Sequence, residues 1–320
     1  MFYIPMLPVY IGCVLYTRKL LYFTAANPAI EMGGFFGEKK DEILALISDK
    51  FKPKSILISK LRSKMVEELL RSTGINYPVI AKPNVGERGY NVKLINMPSG
   101  LDKYITESED ESIIIQEYAN QELELGILFQ KHPETGEVNI RSITEKKFLK
   151  VTGNGTSTVE ELLLNDKRGR LYLNYVKTAI PKAIKKVPDK NEPFVVHRIG
   201  NHAKGTRFIN ANKHISRILE NGVAQIVKDI EGVYYARLDL KVDSYVKLEQ
   251  ALSCSVFEMN GVSSEAGHIY DLPSYFHATK DITKEWIAIA HICRMNIKKG
   301  VQTTPLRLFL TQVFDHFNLY

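Results

Sequence analysis

Apolar and polar positions along the chain switch repeatedly between helical spacing and alternation. Residues 38–50 carry Ile43, Leu44, Leu46 and Ile47 on one face and predict an amphipathic helix. Residues 55–59 predict a short strand, and 60–71 a helix that stops near Gly74. Residues 79–82 predict a strand entering a glycine-bearing loop, and 112–117 a buried strand running into a polar hinge. Residues 125–130 and 137–144 flank a turn at His132-Pro-Glu-Thr-Gly136 and predict a β-hairpin. Residues 151–157 are turn-rich, and 158–165 predict a short helix. Residues 215–230 are apolar at 215, 218, 219, 223, 226, 227 and 230, a helical stripe. Residues 234–242 and 255–260 predict strands. Strands and helices do not alternate as in a doubly wound sheet, so the expected class is α+β.

Residues 1–17 are almost wholly apolar or aromatic, interrupted by Pro5 and Pro8 and followed by Arg18-Lys19. The run is shorter than the ~20 residues of a spanning helix and has no basic stretch before it. It reads as buried structure or as a surface-seeking segment, with weak membrane-surface association through residues 1–23 and no transmembrane span.

Composition narrows the class. With 320 residues, 44% of them hydrophobic and 25% charged, the chain is globular rather than disordered, collagenous or multi-spanning. A net charge of +7 favours an anionic partner without saying which. Cys13, Cys254 and Cys293 lack metal-ligand spacing and suit a reducing cytoplasm. There is no Gly-Lys dipeptide and hence no Walker A loop. The basic residues are not interleaved with a reader motif, so no nucleic-acid partner is expected.

Three constellations carry chemistry. First, a strand delivers Lys82 to a loop in which Gly86 and Gly89 let backbone N–H groups approach an anion. A point charge beside such a cradle suits a polyphosphate; the same residues also read as a hairpin with an exposed lysine. Second, Gln116, Glu117 and Tyr118 end a buried strand where an adenine edge could be read, with Glu124 placed to accept from ribose hydroxyls. The alternative is a strand with a solvated polar end. Third, Arg237, Asp239 and Lys241 share one strand face, and Glu258 and Asn260 share another. Asp239, Glu258 and Asn260 are hard oxygen ligands of the kind Mg²⁺ prefers; otherwise they are polar faces meeting solvent. Two further segments, around His202, Lys204 and Arg207 and around Glu265, His268 and Asp271, offer substrate contacts or ordinary loop residues.

In this order the pieces resemble the ATP-grasp superfamily, closest to its D-alanine–D-alanine-ligase-like members. The shared motifs are Ala26-Asn-Pro28 with Gly33-Gly34, Lys82 to Gly89, Val151 to Thr158, Gly200-Asn-His202, and Glu258-Met-Asn-Gly261 through Asp271. The resemblance spans about residue 25 to about residue 271. It implies two α+β lobes gripping ATP and a carboxylate–amine ligase working through an acyl phosphate. An ATP-grasp kinase and a non-catalytic nucleotide-binding module are the alternatives. It further implies that Lys82, Gly86, Arg88 and Gly89 hold the phosphates, Gln116, Glu117 and Tyr118 the adenine, and Glu124 the ribose. Asp239, Glu258 and Asn260 would ligate two Mg²⁺, and Arg237 would stabilise the acyl phosphate. His202, Lys204, Arg207, Glu265 and His268 are candidate substrate contacts on the residues alone, since Gly200 to Arg207 has no clear counterpart in the ligases.

The implied organisation is an N-terminal segment over 1–75, a small lobe over 76–117, a large lobe with the metal site over 118–290, and a tail over 291–320. Two departures from the ligases stand out. Only about 75 residues precede the lysine loop, and Gly-Glu-Arg-Gly89 replaces a serine-rich loop. The basic stretch 167–190 is the argument for a kinase; its other reading is a solvated helical face.

Overall fold

The computed structural model describes residues 3–59, 65–86, 89–271 and 275–318. Its strands are β1 (Ser55–Ser59), β2 (Val79–Pro83), β3 (Lys93–Ile95), β4 (Ser112–Glu117), β5 (Leu123–Lys131), β6 (Val138–Lys147), β7 (Lys150–Thr152), β8 (Pro193–Val195), β9 (Arg207–Asn210), β10 (Tyr235–Val242) and β11 (Cys254–Asn260). Its α-helices are α1 (Leu7–Thr17), α2 (Lys40–Ala45), α3 (Val66–Thr73), α4 (Pro98–Glu107), α5 (Val159–Asn165), α6 (Gly169–Ala179), α7 (Arg217–Val227), α8 (Tyr245–Glu249), α9 (Tyr275–Lys298) and α10 (Leu306–Asn318). The strands form a small sheet, β1-β4-β2-β3, a large sheet, β11-β10-β5-β6-β9, and a β7-β8 pair. Every strand pairing is antiparallel. No parallel crossover unit is present among the described residues, which is the α+β class expected from the sequence.

Each sheet buries one face against helices. In the small sheet Val79, Ala81, Ile113 and Ile115 pack on Val66 and Leu70 of α3 and on Leu101, Tyr104 and Ile105 of α4. Helix α3 ends at Gly74, which takes the left-handed cap conformation at φ 68°; residues 60–64 of the predicted helix lie outside the described residues. In the large sheet Leu125, Ile127, Phe129, Leu238, Leu240 and Val242 pack on Leu219, Val223, Ile226 and Val227 of α7. Each such side chain contributes ~1.5–3 kcal/mol on burial. Ile218, counted in the predicted stripe, is instead exposed. The predicted helix over 38–50 shortens to α2, which ends at Ala45 with Leu46 as its cap, and Ser48 leads into a separate 3₁₀ turn at Asp49–Phe51.

Two further units complete the molecule. β7, β8, α5 and α6 enclose their own small core of Leu149, Val151, Val159, Leu163, Leu173 and Val176. The basic stretch 167–190 lies here. Lys167, Arg170, Lys177, Lys182, Lys185, Lys186 and Lys190 are exposed, as a solvated face would be. At the N-terminus, α1 and the following 3₁₀ turn pack Cys13, Tyr22, Ala25 and Ala26 against Ile289, Ile292 and Cys293 of α9. The opening run is therefore buried on one side, while Leu7, Ile11 and Leu15, spaced by four, are exposed on the other. The division drawn after residue 290 falls inside α9, whose 24 residues form one continuous helix. Among the described residues no helix is long and apolar enough to cross a membrane.

Candidate active site

A cleft of about 660 Å³ lies between the small and large sheets, a size typical of small-molecule sites. Lys82 joins its two walls. It projects from β2 of the small sheet and donates to Gln116 Oε1 at 3.0 Å on β4 and to the Phe257 carbonyl at 2.9 Å on β11. Burial pulls its pKa down to about 8, against the opposing pull of Glu258. Beyond Lys82 the chain enters the glycine loop, which two lysines pin: Lys40 donates to the Gly86 carbonyl, and Lys204 Nζ to that of Gly89 at 3.2 Å. Gly89 has φ 67°, and a Cβ there would lie 2.6 Å from Asn201 Nδ2. Only glycine fits this crossing of loops without displacement. Arg88 lies outside the described residues.

The floor of the cleft comes from β10 and β11. Alternation sends Leu238, Leu240 and Val242 into the core and Arg237, Asp239 and Lys241 into the cleft. Antiparallel register sets Asp239 directly opposite Glu258 and Arg237 opposite Asn260. Asp239 is only 2% exposed, so its face does not meet bulk solvent. Its Oδ2 accepts from Arg237 Nη2 at 3.0 Å and from Asn260 Nδ2 at 3.2 Å, and Lys146 Nζ lies 3.1 Å from its Oδ1. Burial alone raises its pKa, but Arg237 and Lys146 outweigh burial and hold it below the usual range. A buried carboxylate needs such pairing to stay ionised.

Toward the other end, Glu117 and Tyr118 line the cleft beside Gln116. Lys241 Nζ donates to the Tyr118 hydroxyl at 3.1 Å and the Ala119 carbonyl at 3.0 Å. Glu124 on β5 sits between two cross-strand lysines, Lys146 of β6 and Lys241 of β10. Burial raises its pKa despite both cations. A Cβ on Gly200 would lie 1.8 Å from Glu124 Oε1, so the backbone of the 200–204 loop closes directly over this carboxylate.

Lys82, Gly86, Gly89, Gln116, Glu117, Tyr118, Glu124, Arg237, Asp239, Glu258, Asn260 and His202 thus line one cleft. His202 Nε2 lies 3.0 Å from Asp271, which also holds Arg168 and the Phe208 amide. The remaining predicted residues lie elsewhere. Lys204 ties loops together rather than lining the cleft. Arg207 is exposed, because strand alternation on β9 turns Phe208 to the cleft and Arg207 away. Glu265 and His268 line a neighbouring cavity. There Ser142 and Thr144 hydroxyls meet His268 Nδ1, each at 3.3 Å, and burial lowers the imidazole pKa. Sequence reasoning missed Lys146, whose side chain is 9% exposed and serves both buried carboxylates. Extending the predicted strand 137–144 by two residues would have placed it opposite Glu124.

The chemistry of the donors can be matched to a ligand. Gln116 Nε2 and Arg237 Nε are buried N–H groups without a hydrogen-bond partner, each costing ~1–3 kcal/mol unless a ligand accepts from it. Both belong to side chains that line the cleft, one on β4 and one on β10. Among the described residues no group of three or more His, Cys, Asp or Glu is placed to hold a metal. The oxygen set consists of two facing carboxylates and an amide, a fit for Mg²⁺ that keeps waters and bridges to phosphate.

No protein-family model and no curated protein matches the chain. Among solved structures, it is similar to D-alanine–D-alanine ligase from Bacillus anthracis complexed with ATP, at 12% identity and TM-score 0.45, covering 88% of this chain and 70% of that one. It is similar to D-alanine–D-alanine ligase from Coxiella burnetii, at 9% identity and TM-score 0.46, covering 85% of this chain and 61% of that one. It is also similar to a bifunctional glutathione synthetase from Pasteurella multocida, at 15% identity and TM-score 0.38, covering 80% of this chain and 38% of that one.

Proposed function

We propose that the chain is an ATP-dependent carboxylate–amine ligase of the ATP-grasp type. The observation that carries this is the facing of Asp239 with Glu258 and of Arg237 with Asn260, in the cleft that Lys82 spans. Lys82 and the Gly86–Gly89 backbone would hold the phosphates, Gln116, Glu117 and Tyr118 the adenine, and Glu124 the ribose. Asp239, Glu258 and Asn260 would hold Mg²⁺, which when bound neutralises phosphate charge. Arg237, pinned by Asp239 Oδ2 and by the Glu265 carbonyl at 3.2 Å, is a fixed cation with one free N–H edge. It would meet the oxyanion that develops as a substrate carboxylate attacks the γ-phosphate. An amine then displaces phosphate from the acyl phosphate and forms the amide.

Against the kinase alternative, no residue of the basic stretch 167–190 lines the cleft. Arg168, its one inward member, donates to the Gly205 and Thr206 carbonyls and to Asp271. The binding-module alternative predicts nucleotide affinity with no ADP formed. The test is ADP release over pools of carboxylates and amines, with mass spectrometry of the products. The expected result is ADP and free phosphate only when both pools are present, reduced about 10²-fold or more in Glu258→Ala. A phosphorylated organic product, or turnover untouched by Glu258→Ala, contradicts the assignment.

A further inference from the structure

A second cavity, of about 770 Å³, adjoins the cleft and shares Tyr3, Ser263, Ser264 and Tyr270 with its lining. The N-terminal segment, α9 and one face of the large sheet enclose it. Aromatic side chains, among them Tyr10, Tyr22, Phe23, Phe35, Phe36 and Trp286, line it together with polar groups such as Arg141, Asn212, Glu265 and Glu285. The rings suit a flat apolar body, and the polar groups among them suit a ligand that carries a polar end.

Its charged groups are mostly matched already. Arg141 makes a two-point contact with Glu285, at 3.0 and 3.1 Å, and the Tyr235 hydroxyl donates to the same carboxylate. Lys284 is exposed and paired with Asp281 at 3.3 Å. Glu265 differs. Its carboxylate accepts from the hydroxyls of Tyr3 and Tyr270, and no cation pairs with it among the described residues. Its own backbone carbonyl accepts from Arg237 Nη1. The uncompensated carboxylate therefore stands where the aromatic chamber meets the proposed acyl-phosphate site. A carboxylate ligand entering the chamber would find Arg141 and Lys284 already paired and Glu265 repelling it. An ammonium would find an acceptor.

We infer that this chamber is the amine site, and that the amine carries an aromatic or bulky apolar body. The inference rests on the ligase reading. Glu265 receives the ammonium and takes one proton from it. The freed nitrogen lone pair attacks the acyl carbon. The C–N bond forms as the C–O bond to phosphate breaks, and phosphate leaves with that electron pair and the second N–H proton.

The chain's single tryptophan, Trp286, lines the chamber and stacks on Tyr3 at 6.4 Å between ring centroids. Its fluorescence therefore reports occupancy without any turnover. The probes are 2-phenylethylamine, 3-phenylpropionate and ethylamine. The expected result is a saturable change with 2-phenylethylamine, at least tenfold tighter than with either other probe. Glu265→Gln should erase the preference for amine over carboxylate while keeping the wild-type far-UV spectrum. If that variant does not fold, the wild-type preference decides alone. Equal or tighter binding of 3-phenylpropionate, no saturable change with any probe, or an intact amine preference in Glu265→Gln overturns the inference. Selective amine binding with no ADP formed from any pool would leave the chamber standing and overturn the ligase reading. Ligation of amines that leave Trp286 unperturbed would do the reverse.

Discussion

Lys82 is a buried cation whose charge depends on what fills the cleft. Without a ligand, burial holds its pKa at about 8, below the ordinary lysine value of 10.5. The folded protein therefore disfavours the charged form, and this unfavourable contribution is relieved as pH rises from about 8 toward 10.5. Bound phosphates would favour the charged form and raise the pKa again. Nucleotide binding near pH 9 should then take up about one proton, and affinity should fall as pH rises above about 8. Calorimetry in buffers of different ionisation enthalpy measures this directly. The uptake should vanish in Lys82→Met, and its persistence there would assign the proton elsewhere.

Some elements of the site announce themselves in sequence and others do not. Strands β10 and β11 are legible because polar side chains alternate with apolar ones at the positions that line the cleft, and β2 and β4 because short apolar runs end at Lys82 and Gln116. Lys146 is not, because Glu145-Lys-Lys147 reads as a charge run closing a hairpin rather than as one inward lysine between two outward neighbours. The 3₁₀ turn at Glu31–Gly33 shows what a short motif does once folded. A Cβ on Gly261 would lie 2.5 Å from the Gly33 carbonyl and from Gly34 Cα, so this turn presses on the chain just after β11. Val262 N and Ser263 N donate to the carbonyls of Gly33 and Gly34. Asn27, fully buried, locks the contact. It donates to the Gly33 and Tyr235 carbonyls at 2.9 and 2.7 Å and accepts from the Tyr234 and Tyr235 amides. One side chain thus fixes the start of β10 against the turn on which the loop after β11 rests. Asn27→Ala leaves several buried backbone groups without partners and should cost roughly 3 kcal/mol. The urea midpoint at unchanged slope measures it; a loss below about 1 kcal/mol would mean the clasp is not structural.

The molecule as a whole gives its net charge of +7 an unequal distribution. The stretch 167–190 carries much of it on a solvated face, away from the chemistry. In the cleft Lys40, Lys82, Lys146, Arg198, Arg237 and Lys241 stand against Glu38, Glu117, Glu124, Asp239 and Glu258. This near-balance suits a site that binds phosphates together with a divalent cation. The aromatic chamber was not legible in sequence, because its walls come from residues as far apart as Phe36, Arg141 and Trp286 that only the packing of α1 and α9 brings together. On the ligase reading, a carboxylate oxygen attacks the γ-phosphate before any amide forms. The most direct measurement starts from the carboxylate that supports ADP release, labelled with ¹⁸O in both oxygens, and follows the label into the phosphate released. The acyl-phosphate route predicts one ¹⁸O in that phosphate and one in the amide. Unlabelled phosphate, with the label wholly retained by the carboxylate-derived product, would contradict it.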